Sequence, residues 1–310
     1  MADHYIYWRF LFWPQLAGVV FLVGGLIAVR RQLSQSLDTL CVLGRVFVPA
    51  ALATFGAEHL ASAQFIKDGV PAWIPWHLFW AYFVGLALFA TAISFVANRY
   101  VLLSSWLFGL MDLIFILTIH IPNALHAPSD RVIWAVVTRD LLFVLGAWTL
   151  ALTLTEDPRA RRLLPIIRVL AAFILLFFAV EHFLHPAFAP GVPLGQETPA
   201  FIPVRPFWGY AIGALLAWTS VSILLKPQAR MATTWLGIAS AVLVPVIYIP
   251  MFAASKIGPE MNLAVNYIFD TLLLSGTVFL IAEGMGSRVA AANQSKPSVA
   301  ALLDDGYVIQ

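Results

Sequence analysis

The chain has few charged residues and a single cysteine. Only 11% of its 310 residues are charged, against about 25% in an ordinary soluble domain. Hydrophobic residues make up 61%, and the mean hydropathy is +0.87. This balance excludes a soluble enzyme, a disordered chain and a nucleic-acid-binding protein of the usual kind. Cys41, as the only cysteine, excludes an intrachain disulfide, a Cys-x-x-Cys redox pair and a site made of several thiolates.

Nine apolar runs are long enough to cross a bilayer as helices. Backbone groups in lipid need internal hydrogen bonds, and runs of about 20 residues without two-residue alternation favour helices over barrel strands. The first run is too long for a cleaved signal, so we expect a retained helix. The sequence therefore predicts an all-α integral membrane protein. The predicted spans are residues 9–29, 41–63, 76–97, 101–121, 132–154, 163–184, 206–225, 231–252 and 262–283.

Lysine and arginine are unevenly distributed between the two ends of the predicted spans. The helix ends and connections on one side of the membrane hold 12 of these residues, and those on the opposite side hold 6. Since cytoplasmic segments carry the excess of positive charge, we expect the N-terminus outside and the C-terminus in the cytoplasm, in a bacterial inner membrane. Residues 1–40 then form one helix with a cytoplasmic loop, and residues 287–310 form a loosely ordered cytoplasmic tail.

The chain contains an internal duplication, which predicts two four-helix repeats at residues 41–157 and 158–286. Each repeat has four spans, so both have the same orientation and are related by an axis along the membrane normal. We expect two similar bundles packed together, preceded by one extra helix. The matching positions are Arg45 with Arg168, Glu58 and His59 with Glu181 and His182, residues 119–122 with 247–250, and Asp140 with Asp270.

Ionisable side chains within the predicted spans are costly in lipid, so they face protein or water. Nearly all of them lie in the outer halves of the helices, which predicts one outward-facing polar cluster in the first repeat. The second repeat would hold a reduced version, because Ser240, Tyr248 and Phe269 replace an Asp, a His and an Arg. The ionisable residues are Glu58, His59, Asp112, His120, Arg139, Asp140, Glu181, His182 and Asp270.

These residues allow several chemical roles. Glu58, His59, Asp112 and His120 are candidates for hydrogen bonding and proton transfer in catalysis. The candidates for substrate binding are Arg139, Asp140, Glu181, His182 and Asp270.

Other interpretations stay open. The Glu-His pairs and the Arg-Asp pair could instead be hydrogen-bonded staples and buried ion pairs. Glu58, His59 and His120 could hold a metal ion, whereas no attachment motif supports a haem. Residues 185–206, rich in proline, could cap the polar cluster or be a plain surface loop.

The repeat unit resembles the DoxX-like superfamily of small four-helix membrane proteins. The resemblance rests on Arg45, on Glu58-His59 near the end of the same span, on Ile74-Pro75 before the next span and on the late Asp140. It covers about residues 41–154 and, more weakly, 163–283.

The resemblance implies a redox-associated membrane protein that binds a quinone or a small substrate, as a subunit of a larger complex. Some family members are regarded as subunits of a terminal quinol oxidase or of thiosulfate:quinone oxidoreductase. This chain departs from them as a fused tandem copy without paired cysteines. A transporter or channel for a small solute or ion, and a structural or assembly subunit, are the alternatives. Whether the chain is an enzyme stays open at this stage.

Overall fold

The computed structural model describes residues 11–33, 37–225 and 228–294, and within these ranges the chain is helical without a β-sheet. A 3₁₀ turn at Leu37–Leu43 precedes α2, and short helical turns at Ala63–Ile66 and Pro158–Arg161 lie in connections. The long helices are α1 (Trp13–Val29), α2 (Gly44–Ala61), α3 (His77–Ala97), α4 (Val101–His126), α5 (Arg131–Leu154), α6 (Leu164–Leu184), α7 (Arg205–Leu225), α8 (Ala229–Ala254) and α9 (Pro259–Gln294).

The all-α prediction is confirmed, and the eight helices α2 to α9 are long and apolar enough to cross a bilayer. The apolar helix α1 has 17 described residues, and the predicted start of its span at Arg9 lies outside the described part. Lys226 and Lys296, which entered the charge comparison, also lie outside it. The loosely ordered tail expected from residue 287 is corrected in part, because α9 continues as a helix to Gln294. Residues 295–310 are outside the described ranges.

Helices α2 to α9 form one closed ring, and two members of that ring also contact each other across its middle. Neighbours along the chain pack in order from α2 to α5 and again from α6 to α9, and the ring closes where α5 packs on α6 and α9 on α2. Helices α5 and α9 also pack against each other through the middle. They are the most buried of the eight spans, with 72% and 83% of their apolar stretches inside the protein. The two halves therefore share one core and do not stand as separate bundles.

Glycine permits the close crossing of α2 and α9. A Cβ atom added to Gly276 would lie 2.8 Å from the backbone nitrogen of Val48, and one added to Gly44 would lie 2.9 Å from the carbonyl oxygen of Gly276. No larger residue fits there without moving the backbone, as is typical of closely packed membrane helices. At the end of the same crossing, Arg45 Nη2 lies 2.6 Å from Glu283 Oε1 and fixes the two helices in register.

A wide π-helical turn interrupts each of α4 and α8 at a matching place. The turns are Ile116–His120 and Val244–Tyr248, and a proline follows each by two residues, at Pro122 and Pro250. Proline has no N–H, and its ring crowds the carbonyl four residues earlier, so a wider turn relieves the clash. The π turns end at His120 in α4 and at Tyr248 in α8. Both side chains make the interior contacts described below.

Candidate functional site

A cavity of about 410 Å³ lies among α2, α3, α4, α5 and α9. Its walls combine apolar and aromatic side chains, such as Leu88, Phe108 and Phe143, with a dense set of polar groups. Seven of the nine ionisable residues singled out in the sequence line it, namely Glu58, His59, Asp112, His120, Arg139, Asp140 and Asp270. The structure therefore brings side chains from five helices to one site.

The cavity lies between the two halves of the chain, which corrects the expectation that the first repeat alone would form it. Helix α9, from the second half, contributes Asn266, Tyr267 and Asp270, and Pro193 reaches the wall from the connection before α7. Asp270 was expected in a reduced second cluster. It lies in the main one because α9 packs on both α2 and α5.

Arg139 connects two aspartates on the central helices. Its Nε donates to Asp140 Oδ1 over 2.8 Å, and its Nη1 donates to Asp270 Oδ2 over 2.9 Å. His120 Nε2 lies 3.0 Å from the other oxygen of Asp140, whose side chain is only 5% exposed. The result is a continuous network from α4 through α5 to α9. Removing one member of a buried ion pair leaves the other charge uncompensated, at a cost of about 3–5 kcal/mol.

Glu58 and His59 use different partners, as expected for helix neighbours that point about 100° apart. Glu58 Oε1 accepts hydrogen bonds from the side-chain amides of Asn262 and Asn266, over 3.2 and 3.5 Å. Glu58 forms no ion pair with Arg139, whose partners are Asp140 and Asp270. His59 Nδ1 donates to the carbonyl of Phe55, one turn earlier, over 2.8 Å. Since this bond occupies Nδ1, Nε2 is the ring nitrogen left for the cavity.

Among the ionisable residues that line the cavity, Asp112 lies nearest the middle of its helix. Its Oδ2 is buried, and within the described ranges no hydrogen-bond partner reaches it. The Oδ1 atom of Asn266 is in the same situation. Buried acceptors without donors are unusual in folded proteins, and a water molecule, a proton, an ion or a ligand can supply the missing partner.

Glu181 and His182 lie outside the cavity, so the structure gives no support to the prediction that they bind substrate there. Glu181 Oε2 lies 3.4 Å from Arg131 Nη1. His182 is fully buried, its Nδ1 donates to the Phe178 carbonyl over 2.6 Å, and its Nε2 accepts from the N–H of Gly191 over 3.1 Å. Glu181 therefore contacts α5 of the first half, and His182 contacts the proline-rich connection.

The middle of the proline-rich connection lies inside the protein, whereas much of the rest of residues 185–206 is exposed. Residues 189–194 are all buried, and the Tyr248 hydroxyl donates to the Pro190 carbonyl over 2.7 Å. Arg131 Nη2 donates to the carbonyl of Leu194 over 3.0 Å, and the Arg131 guanidinium lies over the ring of Phe188. The connection therefore fills space within the second half, and only Pro193 reaches the main cavity.

A groove on the side of α4 adjoins the site. This groove is lined by His120, Asn123, His126 and residues of α5, and it shares His120 with the main cavity. Only 22% of the apolar stretch of α4 is buried, the smallest share among the eight spans. The groove thus lies beside the span that the protein covers least.

Metal binding finds little geometric support in this arrangement. Across residues 11–33, 37–225 and 228–294, no three His, Cys, Asp or Glu side chains lie close enough together to hold an ion. The trio of Glu58, His59 and His120 is therefore not a ready-made metal site.

In comparisons with known proteins, no family model, curated protein or solved structure matches this chain.

Four residues at or beside the site were not predicted from the sequence, namely Asn262, Asn266, Tyr267 and Pro193. Asn262 and Asn266 are four residues apart, so they share one face of α9, and amides at that spacing in an apolar helix are a usable signal. Tyr267 and Pro193 gave no comparable signal. Their position follows from the packing of α9 and of the proline-rich connection.

Proposed function

We propose that this chain is a DoxX-like integral membrane protein, redox-associated, that binds a quinone or another small ring-sized substrate between its two halves. The proposal depends mainly on the position of His120. It pairs with Asp140 on the cavity wall and also lines the groove beside the least covered helix. A lipid-dissolved ligand would meet this proton-exchanging pair on its way into the cavity.

The size and walls of the cavity suit a substituted ring. A volume of about 410 Å³ lies within the range of small-molecule sites, about 300–1,000 Å³. Phe55, Phe108, Phe115 and Phe143 supply flat apolar surface against which a ring packs. The polar groups converge from several helices, which fixes the orientation of a bound molecule.

The polar network supports proton exchange with such a ligand. Oxidation of a quinol releases two protons and two electrons, and reduction of a quinone takes up both. His120, which pairs with Asp140, is the side chain suited to accept or release a proton of the ligand. In this proposal Glu58, His59 and Asp112 supply further hydrogen bonds, and the electrons pass to or from a partner subunit of the complex.

The proposed architecture is nine spans in two parallel four-helix repeats, with the N-terminus outside. Matching local contacts support the repeat. The indole of Trp80 donates to the Pro75 carbonyl over 2.9 Å, and that of Trp208 donates to the Pro203 carbonyl over 3.0 Å. The two π turns lie 128 residues apart, the same shift that relates the Trp residues. In this orientation the cavity lies in the outer half of the membrane.

Ligand binding in lipid nanodiscs tests the proposal. We expect a short-chain ubiquinone to quench tryptophan fluorescence saturably at micromolar concentrations. His120→Tyr should weaken binding by about tenfold or more, which corresponds to a loss of about 1.4 kcal/mol in binding free energy for each factor of ten. Tyrosine is the residue at the matching position, Tyr248. His77→Tyr, at the start of α3 and outside the cavity, is the control. Equal affinity in all three proteins, or no saturable binding, would contradict the proposal and favour a structural or assembly role.

Transport of a small cation is the second candidate. Four carboxylates line the cavity against one guanidinium, and a buried oxygen of Asp112 has no donor among the described residues. A cation would supply the missing charge. Uptake of a labelled cation into proteoliposomes, lost in Asp112→Asn, would support transport, whereas quinone binding without uptake would support the first candidate.

A further inference from the structure

The two histidines that the duplication pairs have the same local setting. His59 and His182 each donate from Nδ1 to the carbonyl of the residue four positions earlier, over 2.8 and 2.6 Å. A glycine of the next helix lies against each: a Cβ added to Gly85 or to Gly213 would be 3.0 Å from the histidine Cβ. The chain thus presents the Nε2 edge of each imidazole in the same way.

The group that contacts the Nε2 atom of the histidine differs between the two halves. In the second half, the N–H of Gly191 donates to His182 Nε2. Gly191 has φ +140°, and an added Cβ would lie 2.8 Å from the Tyr248 hydroxyl oxygen, so only glycine fits between the two side chains. In the first half, His59 faces the open cavity, and none of residues 62–76, the matching connection, lines it.

The chain therefore supplies its own occupant for the second half. The connection before α7 is five residues longer than its counterpart before α3, and residues 189–194 of it are all buried. The Pro190 carbonyl accepts from Tyr248, and the adjacent N–H of Gly191 donates to His182. Tyr248 stands at the position of His120, so the occupant lies against the two side chains that match the cavity histidines.

The donor direction at His182 is unambiguous. A backbone N–H can only donate, so Nε2 of His182 is an acceptor and Nδ1 carries the proton given to Phe178. His59 makes the same bond from Nδ1 to Phe55, so its Nε2 in the neutral ring is also an acceptor.

We infer that residues 189–194 stand in the place of a ligand, and that His59 is a specificity-determining residue which accepts a hydrogen bond from the ligand of the main cavity. The ligand presents an O–H or N–H to His59 where the occupant of the second half presents the N–H of Gly191 to His182. This inference rests on the proposed function and narrows its ligand to a ring with a donor group.

A matched pair of ligands tests the inference on the full-length protein in nanodiscs. Short-chain ubiquinol carries hydroxyl donors, and its dimethyl ether has the same ring without them. We expect the wild-type protein to bind the quinol about tenfold more tightly than the ether, because the ether leaves the acceptor unpaired. In His59→Phe the preference should fall to nearly one, and His59→Gln, whose amide oxygen accepts, should restore part of it.

The second histidine supplies the control. His182→Phe should lower thermal stability, because the buried N–H of Gly191 loses its acceptor, and it should leave the quinol-to-ether ratio unchanged. Equal binding of quinol and ether by the wild-type protein would overturn the inference and leave the proposed function standing. A quinol preference that survives in a stably folded His59→Phe protein would also overturn it. If neither the quinol, its ether nor ubiquinone binds, the proposed function itself fails, and the inference fails with it.

Discussion

Arg139 Nη1 lies 2.9 Å from Asp270 Oδ2, and this contact joins the central helix of the first half to that of the second. The same guanidinium binds Asp140 on its own helix, and Asp140 binds His120 on α4. The pair is both a structural link and part of the wall of the cavity. The assembly of the halves and the chemistry of the site therefore depend on the same side chain.

Replacement of Arg139 tests this link. Arg139→Met should destabilise the protein by about 3–5 kcal/mol, because Asp140 and Asp270 lose their shared counter-charge while buried. Unfolding in a denaturing detergent measures the change in free energy. Arg99→Met, an exposed arginine after α3, is the matched control and should be nearly silent. Equal stability of the two variants would show that the network contributes little to the fold.

The crossing of α2 and α9 depends on glycine. Gly276→Val places a branched side chain where even a Cβ would lie 2.8 Å from backbone, so we expect loss of the folded monomer in size-exclusion chromatography. Gly24 in α1 has nothing within 4 Å of an added Cβ, and Gly24→Val should behave as wild type. A well-folded Gly276→Val protein would contradict the close crossing.

Tyr248 secures the buried connection in the second half. Tyr248→Phe removes the donor to the Pro190 carbonyl and should cost about 1–3 kcal/mol, because a buried acceptor loses its partner. Thermal unfolding would show the change as a lower midpoint. Tyr210→Phe, on an exposed part of α7, is the control. No difference between the two would indicate that water replaces the lost hydroxyl.

Orientation in the membrane is tested by cysteine labelling in a Cys41→Ser background. Gly69→Cys, in the connection before α3, should react with an impermeant maleimide in intact cells. Glu156→Cys, in the connection after α5, should react only after permeabilisation. The reverse pattern would place the cavity in the cytoplasmic half of the bilayer and contradict the charge-based orientation.

The sequence predicted the helices well because the bilayer imposes a simple constraint of length and polarity. Most predicted spans end within a few residues of the observed helices, for example 132–154 against Arg131–Leu154. Depth also predicted that His59, His120 and Asp140 would come together, since buried ionisable groups at equal depth are better paired than exposed to lipid.

The rest depended on packing that periodicity does not encode. Asp270 was assigned to the second half because its sequence position is there, and only the crossing of α9 with α2 and α5 brings it to Arg139. The buried position of residues 189–194 was also not predictable from the sequence. Proline content predicts irregular backbone, but it does not say whether that backbone lies on the surface or inside the fold.

The most direct test of the central claim is a cryo-EM structure in nanodiscs with a brominated quinone bound. The account predicts density for the ring between Phe108 and Phe143, with the bromine signal beside His120 in the cavity between the halves. A competing apolar groove lies between α1, α2 and α3, lined by Trp13, Phe21 and Phe89. Density only in that groove, with the cavity between the halves empty, would contradict the account.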